Sequence, residues 1–500
     1  MSIGKEDVKM KYKSTRGSND LKSAAQAVIQ GIAQDKGLFV PETIPPLPFT
    51  WEEMKGKTYQ EIALAIIRSF FTDYTASELQ YCVTGAYDKK FEAPEIVPLV
   101  KAGDAYFLEL YHGKTAAFKD MALSILPYLM TTAMKKEKED KKIVVLTATS
   151  GDTGKAALEG FADVPNTEII VFYPNEGVSQ VQERQMTTQE GANTHVFAIR
   201  GNFDDAQTGV KRIFNDSSFT DELAKLGCRL SSANSINIGR LIPQVAYYVY
   251  SYAKLLEKGT IKAGDPINIV VPTGNFGNIL AAYYAREMGV PAGRLICASN
   301  ENKILTDFIN TGIYDVAREF YLTNSPSMDI LISSNLERLL YHLSGDDGAE
   351  IAALMESLDK SKKYVVGDKI KKGLSGFWAN YATMEETNAA IGRMYAENGY
   401  LMDTHTAVAY KVYEDYKKAT GDNTATVIAS TASAYKFADS VTASIGLSIE
   451  KDGFANVRAL HEKTGVKIPA GLKGLEAKEI RHKDVLNIEE MKAAVRKTLK

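Results

Sequence analysis

The chain has 500 residues, of which 45% are hydrophobic and 24% charged, an ordinary globular composition with material for roughly two to four domains. With 59 basic and 62 acidic residues the formal net charge is -3, so no excess of charge points to nucleic acid or to an anionic membrane. Three well-separated cysteines (Cys82, Cys228, Cys297) and six scattered histidines offer neither a disulfide framework nor a metal cluster, and no apolar run approaches the ~18 residues that span a bilayer.

Taken in chain order, the polar opening "MSIGKEDVKMKYKSTRG" lacks the apolar core of a signal peptide, which makes the cytoplasm the expected compartment. The proline cluster "VPETIPPLPFTWEEM" (40–54) marks an irregular connection ahead of the helical pattern "YQEIALAIIRSFF" (59–71). A second break at "YDKKFEAPEIVPLV" (87–100) closes a small leading unit, residues 1–95. From there, short apolar runs alternate with helical segments. "AYFLEL" (105–110), "KIVVLTA" (142–148), "EIIVFYP" (168–174), "THVFAI" (194–199), "INIVVPT" (267–273) and "TATVIAST" (424–431) read as strands. The mixed-sign run "KKEKEDKK" (135–142) reads as the solvated end of a helix, and the stretch from about 340 to 400 reads as helical and charged. The pattern predicts an α/β fold around mostly parallel sheets, with ligands at the carboxyl ends of the strands.

Three stretches carry candidate chemistry. In "HGKTAAFKD" (112–120), Lys119 stands beside an apolar stripe formed by Phe118, Ala122, Ile125, Leu126 and Leu129, and Pro127 interrupts the helix beyond it. A partly desolvated lysine loses preference for its charged form, and its neutral amine can attack an aldehyde to form a Schiff base; a solvated helix lysine gives the same spacing. In "VPTGNFGNILAAYYA" (271–285) a strand runs through a glycine–asparagine turn into a helix, which offers backbone N–H groups to an anion. Gly274 and Gly277 are the residues expected to permit close approach and unusual φ angles there. A tight connection without ligand fits the turn equally well. "TATSGDTGKAALEG" (147–160) repeats the strand–turn–helix arrangement. It is not a P-loop, because Thr149 and Ala156 stand where that motif needs glycine and a hydroxyl. A hydroxyl-rich anion turn and a helix capped by Ser150 or Asp152 are both open readings. A reactive lysine with two anion turns on one α/β scaffold suits pyridoxal 5'-phosphate chemistry.

Several stretches then occur in a telling order: "YKSTRG" (12–17), "GIAQDKGLFVPE" (31–42), "HGKTAAFKD", "TSGDTG" (149–154), "SANSINIGRL" (232–241), "PTGNFGNI" (272–279) and "SPSMDILISSNLERLL" (325–340). Together they resemble the threonine synthase family, in its longer bacterial and fungal branch, from about residue 12 to residue 440. The resemblance implies a fold-type II pyridoxal phosphate enzyme, similar to the tryptophan synthase β chain. It would have two open, twisted α/β domains, a large cofactor-binding one (96–134 and 235–500) and a small one (135–234), beside the leading domain 1–95. It implies γ-elimination of phosphate from O-phospho-L-homoserine and addition of water at the β-carbon to give L-threonine, the last step of threonine biosynthesis. Lys119 falls on the family's Schiff-base lysine and proton shuttle. Gly274, Asn275, Phe276, Gly277 and Asn278 fall on its cofactor-phosphate loop, and Thr431 on the hydroxyl facing the pyridine nitrogen. Ser150, Asp152 and Thr153 fall on the substrate loop. Asn237 and Arg240 are chosen for the substrate phosphate, with Lys114 as a further candidate. The family usually has proline at Lys114, and many relatives carry "HPAKF" where this chain has Ser433, Ala434, Tyr435, Lys436 and Phe437. His112 and His405 are further candidates, His112 for the substrate phosphate, with a packed or capping histidine as the favoured reading of each. The expected partner is a small-molecule substrate, with no nucleic acid, membrane or metal, and the expected assembly is a monomer or weak homodimer. Competing readings are another fold-type II enzyme such as a threonine dehydratase or sulfhydrylase, a silent binding module, and a nucleotide-binding protein.

Overall fold

Why the predicted strands are apolar on both sides is answered by where their residues point. In the computed structural model, which describes residues 9–149, 151–176 and 178–499, the apolar runs build two sheets whose faces are both covered. The larger sheet has six strands in the order Phe377–Tyr381, Ala292–Ser299, Ile267–Pro272, Thr426–Ser430, Ala105–Glu109 and Leu99–Ala102. All neighbours are parallel except the last two, which form an antiparallel hairpin pairing Leu99 with Leu108 and Ala102 with Ala105. The smaller sheet has five parallel strands in the order Val485–Leu486, Thr194–Ile199, Thr167–Pro174, Lys142–Ala148 and Cys228–Ser231.

Alternation along each strand sends successive side chains into different cores. In the larger sheet Ile269 and Val271 join the main core, while Val270, Phe107 and Ile428 pack on the opposite face. In the smaller sheet Val145 and Val171 face the main core, and Val144, Leu146, Ile170 and Phe172 face outward under a second layer of helices. The helix Ile238–Glu257 packs against the leading unit on one side and against the helix Gly277–Met288 on another. It is buried nearly all round.

The leading unit pairs Tyr12–Ser14 antiparallel with Phe39–Pro41 and adds the helices Ala24–Gln30, Tyr59–Phe70 and Ala76–Ala86. Each of these helices starts with a reciprocal cap: Ser23 with Gln26, Thr58 with Glu61, and Thr75 with Glu78.

Three expectations change. The break at 87–100 ends in a strand, because the two-residue turn Gly103–Asp104, with Gly103 at φ 57°, returns Leu99–Ala102 along Ala105–Glu109. The stretch 340–400 is not wholly helical: Lys363–Val365 pairs with Ile313–Asp315, and Phe377–Tyr381 forms the edge of the larger sheet. The segment near 485, grouped by sequence with the larger unit, crosses to the smaller sheet. There Val485–Leu486 covers the edge that Thr194–Ile199 would otherwise expose, and Met491 and Val495 join the outer core.

The two sheets meet where the helix Asp152–Phe161 crosses the short helix Lys119–Leu123. A Cβ on Gly160 would lie 2.2 Å from the Leu123 carbonyl oxygen. Gly160→Ala is expected to lower the thermal unfolding temperature. Overpacking costs about 1–3 kcal/mol and the atom struck is backbone, which outweighs the ~1 kcal/mol of helix propensity gained. An unchanged unfolding temperature would contradict this close approach.

Candidate active site

A cleft opens at the carboxyl ends of the larger sheet's strands. Its floor is the turn that follows Ile267–Pro272 and leads into the helix Gly277–Met288. Phe276 takes the left-handed conformation at φ 63°, so the unusual angle expected of a glycine falls on a phenylalanine. Gly274 serves close approach instead, since a Cβ there would stand 2.5 Å from the Ser327 carbonyl oxygen. Gly277 leaves ordinary space above the helix start, its nearest neighbour being Asn335 Nδ2 at 3.5 Å. No side chain caps this helix, and its first N–H groups are left for an anion. Asn278 adds a donor. Its Oδ1 accepts from the Tyr247 hydroxyl at 3.0 Å and from the Tyr248 hydroxyl, and its buried Nδ2 has no partner. An uncapped helix start with an orphaned amide donor fits a phosphate group.

Lys119 opens the helix Lys119–Leu123, which ends before the chain restarts as Leu126–Glu137 with Pro127 in its first turn. The segment before it is held by backbone bonds to the far end of the chain. Phe118 N–H donates to the Thr431 carbonyl at 2.8 Å, and Ser433 N–H to the Ala116 carbonyl at 3.0 Å. Lys119 and Thr431 therefore line one cleft. The Phe118 ring centre lies 4.4 Å from Lys119 Nζ, which has no hydrogen-bond or ion-pair partner among the described residues. Burial, helped by the positive charge of Arg240 and opposed by Asp152, lowers the amine's pKa to about 8.

Arg240 reaches the cleft from the first turn of Ile238–Glu257. Its guanidinium is buried, donates from Nη1 to the Ala233 carbonyl at 2.7 Å and leaves Nε without a partner. Burial lowers even its pKa, to about 10. A buried cation lacking a carboxylate partner is a receptor for an anion.

Asp152 also lines the cleft, but its carboxylate is already engaged. It accepts from Lys436 Nζ at 2.7 Å, from Gln182 Nε2 at 2.9 Å and from Ser327 Oγ at 3.4 Å. Burial pushes its pKa up, yet the Lys436 ammonium and these bonds hold it at about 2. The helix that follows is capped by Thr149, whose hydroxyl accepts from Gly151 N–H at 3.0 Å and Gly154 N–H at 2.9 Å. Thr153 is half-buried beside it and does not line the cleft, and Ser150 lies outside the described residues.

Two sequence candidates stand elsewhere. Asn237 is spent as a helix cap, accepting from Gly239 N–H and donating to the Val28 carbonyl, each at 2.9 Å. Lys114 is exposed and pairs with Glu159 at 2.7 Å on the far side of the Lys119 helix. His112 likewise pairs with Glu109 at 2.8 Å outside the cleft. Conversely, the cleft recruits Ser235, Gln244, Ser327 and His405. His405 accepts at Nε2 from Ser327 N–H at 3.1 Å, and its Nδ1 faces Asp403 Oδ2 at 2.9 Å. Ser235 and Ser327 lie inside the quoted motifs, and Gln244 sits one turn beyond Arg240 on the same helix face.

Matches to known proteins coincide with this architecture. Residues 11–87 match the family model "Threonine synthase N terminus", 91–431 match "Pyridoxal-phosphate dependent enzyme", and 406–495 match "Threonine synthase, C-terminal". The threonine synthase of Schizosaccharomyces pombe is 36% identical over 481 residues, covering 90% of this chain and 91% of that one.

This chain belongs to the threonine synthase family.

The crystal structure of pyridoxal-phosphate-bound threonine synthase from Brucella melitensis superposes with a TM-score of 0.87 at 36% identity, covering 98% of this chain and 100% of that chain. The human threonine synthase-like 1 protein is 40% identical over 431 residues, and this chain spans only 57% of its length. The fold is that of the type II pyridoxal phosphate enzymes, and pyridoxal phosphate is the cofactor of the family. Among the described residues no group of three or more His, Cys, Asp or Glu side chains could hold a metal ion, and no helix is long and apolar enough to cross a membrane.

The lowered pKa of Lys119 has a measurable consequence. Only the neutral amine attacks an aldehyde, so in the cofactor-free protein the rate of capture of pyridoxal at Lys119 should rise with pH through about 8 and level off above it. Arg240→Met removes a neighbouring positive charge and should move that midpoint upward, as borohydride trapping and peptide mapping across pH would record. An unmoved midpoint would rule out the Arg240 contribution.

Proposed function

We propose that this chain converts O-phospho-L-homoserine and water to L-threonine and inorganic phosphate with pyridoxal phosphate as cofactor. The observation that carries this reading is one cleft in which an unpaired lysine faces two separate anion receptors, the uncapped helix at Gly277 and the buried guanidinium of Arg240. One receptor suits the cofactor phosphate and the other an anionic group of the substrate. Lys119 would hold the cofactor covalently, the turn 274–278 would take its phosphate, and Thr431 would face its ring. When bound, the cofactor supplies an electron sink for charge developing on the substrate carbons.

The choice of proton carrier follows from the side chains around the cleft. Asp152, held at about 2, is too weak a base near neutral pH. His405 has its Nε2 lone pair committed to Ser327 N–H. Lys119, with a pKa of about 8, is available in both protonation states. Once the substrate's amine has displaced it from the cofactor, its free Nζ would be the group that removes the substrate's α-proton and later returns a proton there. Arg240 stays cationic and would hold the substrate phosphate until it leaves. Asp152, an ionised carboxylate already engaged by Lys436, Gln182 and Ser327, accepts only from donors, so it would face a hydroxyl or ammonium rather than the substrate carboxylate. The three cysteines are free and buried, which suits a reducing compartment and supports a cytoplasmic location.

Loaded with pyridoxal phosphate, the protein should release phosphate from O-phospho-L-homoserine in step with threonine formation, and should release little ammonia from threonine. Lys119→Ala should lower kcat by at least about 10²–10⁴-fold, the scale of general acid–base help. Wild-type turnover in that variant, or ammonia release as the main activity, would overturn the proposal.

A further inference from the structure

The turn at 274–276 owes its orientation to residues that do not line the cleft. Its carbonyls are bound from behind. Ser333 Oγ donates to the Gly274 carbonyl at 2.7 Å, and Asn335 donates to the Asn275 carbonyl from its backbone N–H at 3.1 Å and from Nδ2 at 3.0 Å. In a planar trans peptide the C=O of one residue and the N–H of the next point in opposite directions. Fastening the Gly274 and Asn275 carbonyls to this backing segment therefore turns the N–H groups of Asn275 and Phe276 the other way.

Asn335 is itself held. The wholly buried Arg338 donates from Nη1 to Asn335 Oδ1, from Nε to the Phe39 carbonyl at 2.9 Å, and from Nη2 to the Ile236 carbonyl. Phe39 belongs to the strand Phe39–Pro41 of the leading unit, and Ile236 precedes the helix that carries Arg240. Arg338 has no ion-pair partner among the described residues. Its rigid fork of donors instead joins three pieces of chain that meet behind the turn.

We infer that Arg338 is a positioning residue for cofactor binding: through it the leading strand pair and the loop ahead of Arg240 hold the 274–276 turn with its N–H groups toward the cofactor phosphate. The inference rests on the cofactor role proposed above for that turn. Lysine at this position keeps the charge, but its compact ammonium cannot span the three acceptors.

The test compares two ligands on cofactor-free protein: pyridoxal phosphate, and pyridoxal, which has the same aldehyde and ring but no phosphate. Arg338→Lys should weaken pyridoxal phosphate binding about 10–100-fold while leaving pyridoxal binding within about twofold, the size expected for disturbed hydrogen bonds to an anion. Ser333→Ala, which removes one backing bond and no charge, should show a smaller loss of the same kind. Equal losses for both ligands, or an unchanged preference for the phosphate, would overturn the inference. Should Arg338→Lys fail to fold, Arg338→Gln is read by the same ratio in its place. Wild-type protein without any preference for pyridoxal phosphate over pyridoxal would overturn the role of the turn together with the inference, whereas wild-type preference retained in full by the variants overturns the inference only.

Discussion

Two backbone hydrogen bonds between segments some three hundred residues apart set the geometry of the site. Phe118 N–H on the Thr431 carbonyl and Ser433 N–H on the Ala116 carbonyl tie the approach to Lys119 to the end of the strand Thr426–Ser430. That strand is paired on both sides within the larger sheet, so the tie inherits the rigidity of a central strand. Lys119 is thereby presented over the carboxyl ends of parallel strands, where the turn at 273–276 also emerges. Without the tie, a five-residue helix such as Lys119–Leu123 has too few internal bonds to hold a position of its own.

The cleft gathers unpartnered donors in one place. Charges buried elsewhere are bonded: Glu337 pairs with Arg16, and Arg338 gives its donors to two backbone carbonyls and an amide oxygen. In the cleft, Lys119 is unpaired, Arg240 keeps Nε unbonded, Asn278 keeps Nδ2 unbonded and a helix starts without a cap. Unmatched buried donors destabilise a protein unless a ligand completes them. Their concentration at one place, with all of them donors or cations, marks the ligand as an anion more firmly than any single residue does.

The Asp152–Lys436 pair has a second consequence. Asp152 belongs to the helix that follows the smaller sheet's strand Lys142–Ala148, and Lys436 follows the larger sheet's strand Thr426–Ser430. Lys436 also donates to the Thr115 carbonyl at 2.9 Å, in the turn leading to Lys119. A single buried ammonium thus joins both sheets to the lysine turn.

Much of the fold was legible in the sequence because parallel strands covered on both faces leave an unmistakable trace, continuous β-branched runs such as "INIVVPT" between helical segments. One helix of the leading unit showed as the periodic run "YQEIALAIIRSFF", and Lys119 and the 274–278 turn stood out because strand–turn–helix chemistry is local. Edge strands were not legible: Leu99–Ala102, Phe377–Tyr381 and Val485–Leu486 are short, partly polar and defined by the neighbour they pair with. The same holds for the site's charge balance. The sequence alone determined which side chains were available and which lay at helix starts. Only the tertiary structure decided that Asp152 would be consumed by Lys436, that Asn237 would turn away to cap its own helix, and that Arg240 would stay unpaired beside Lys119. Pairing between charges depends on distances across the folded chain, which no local spacing encodes.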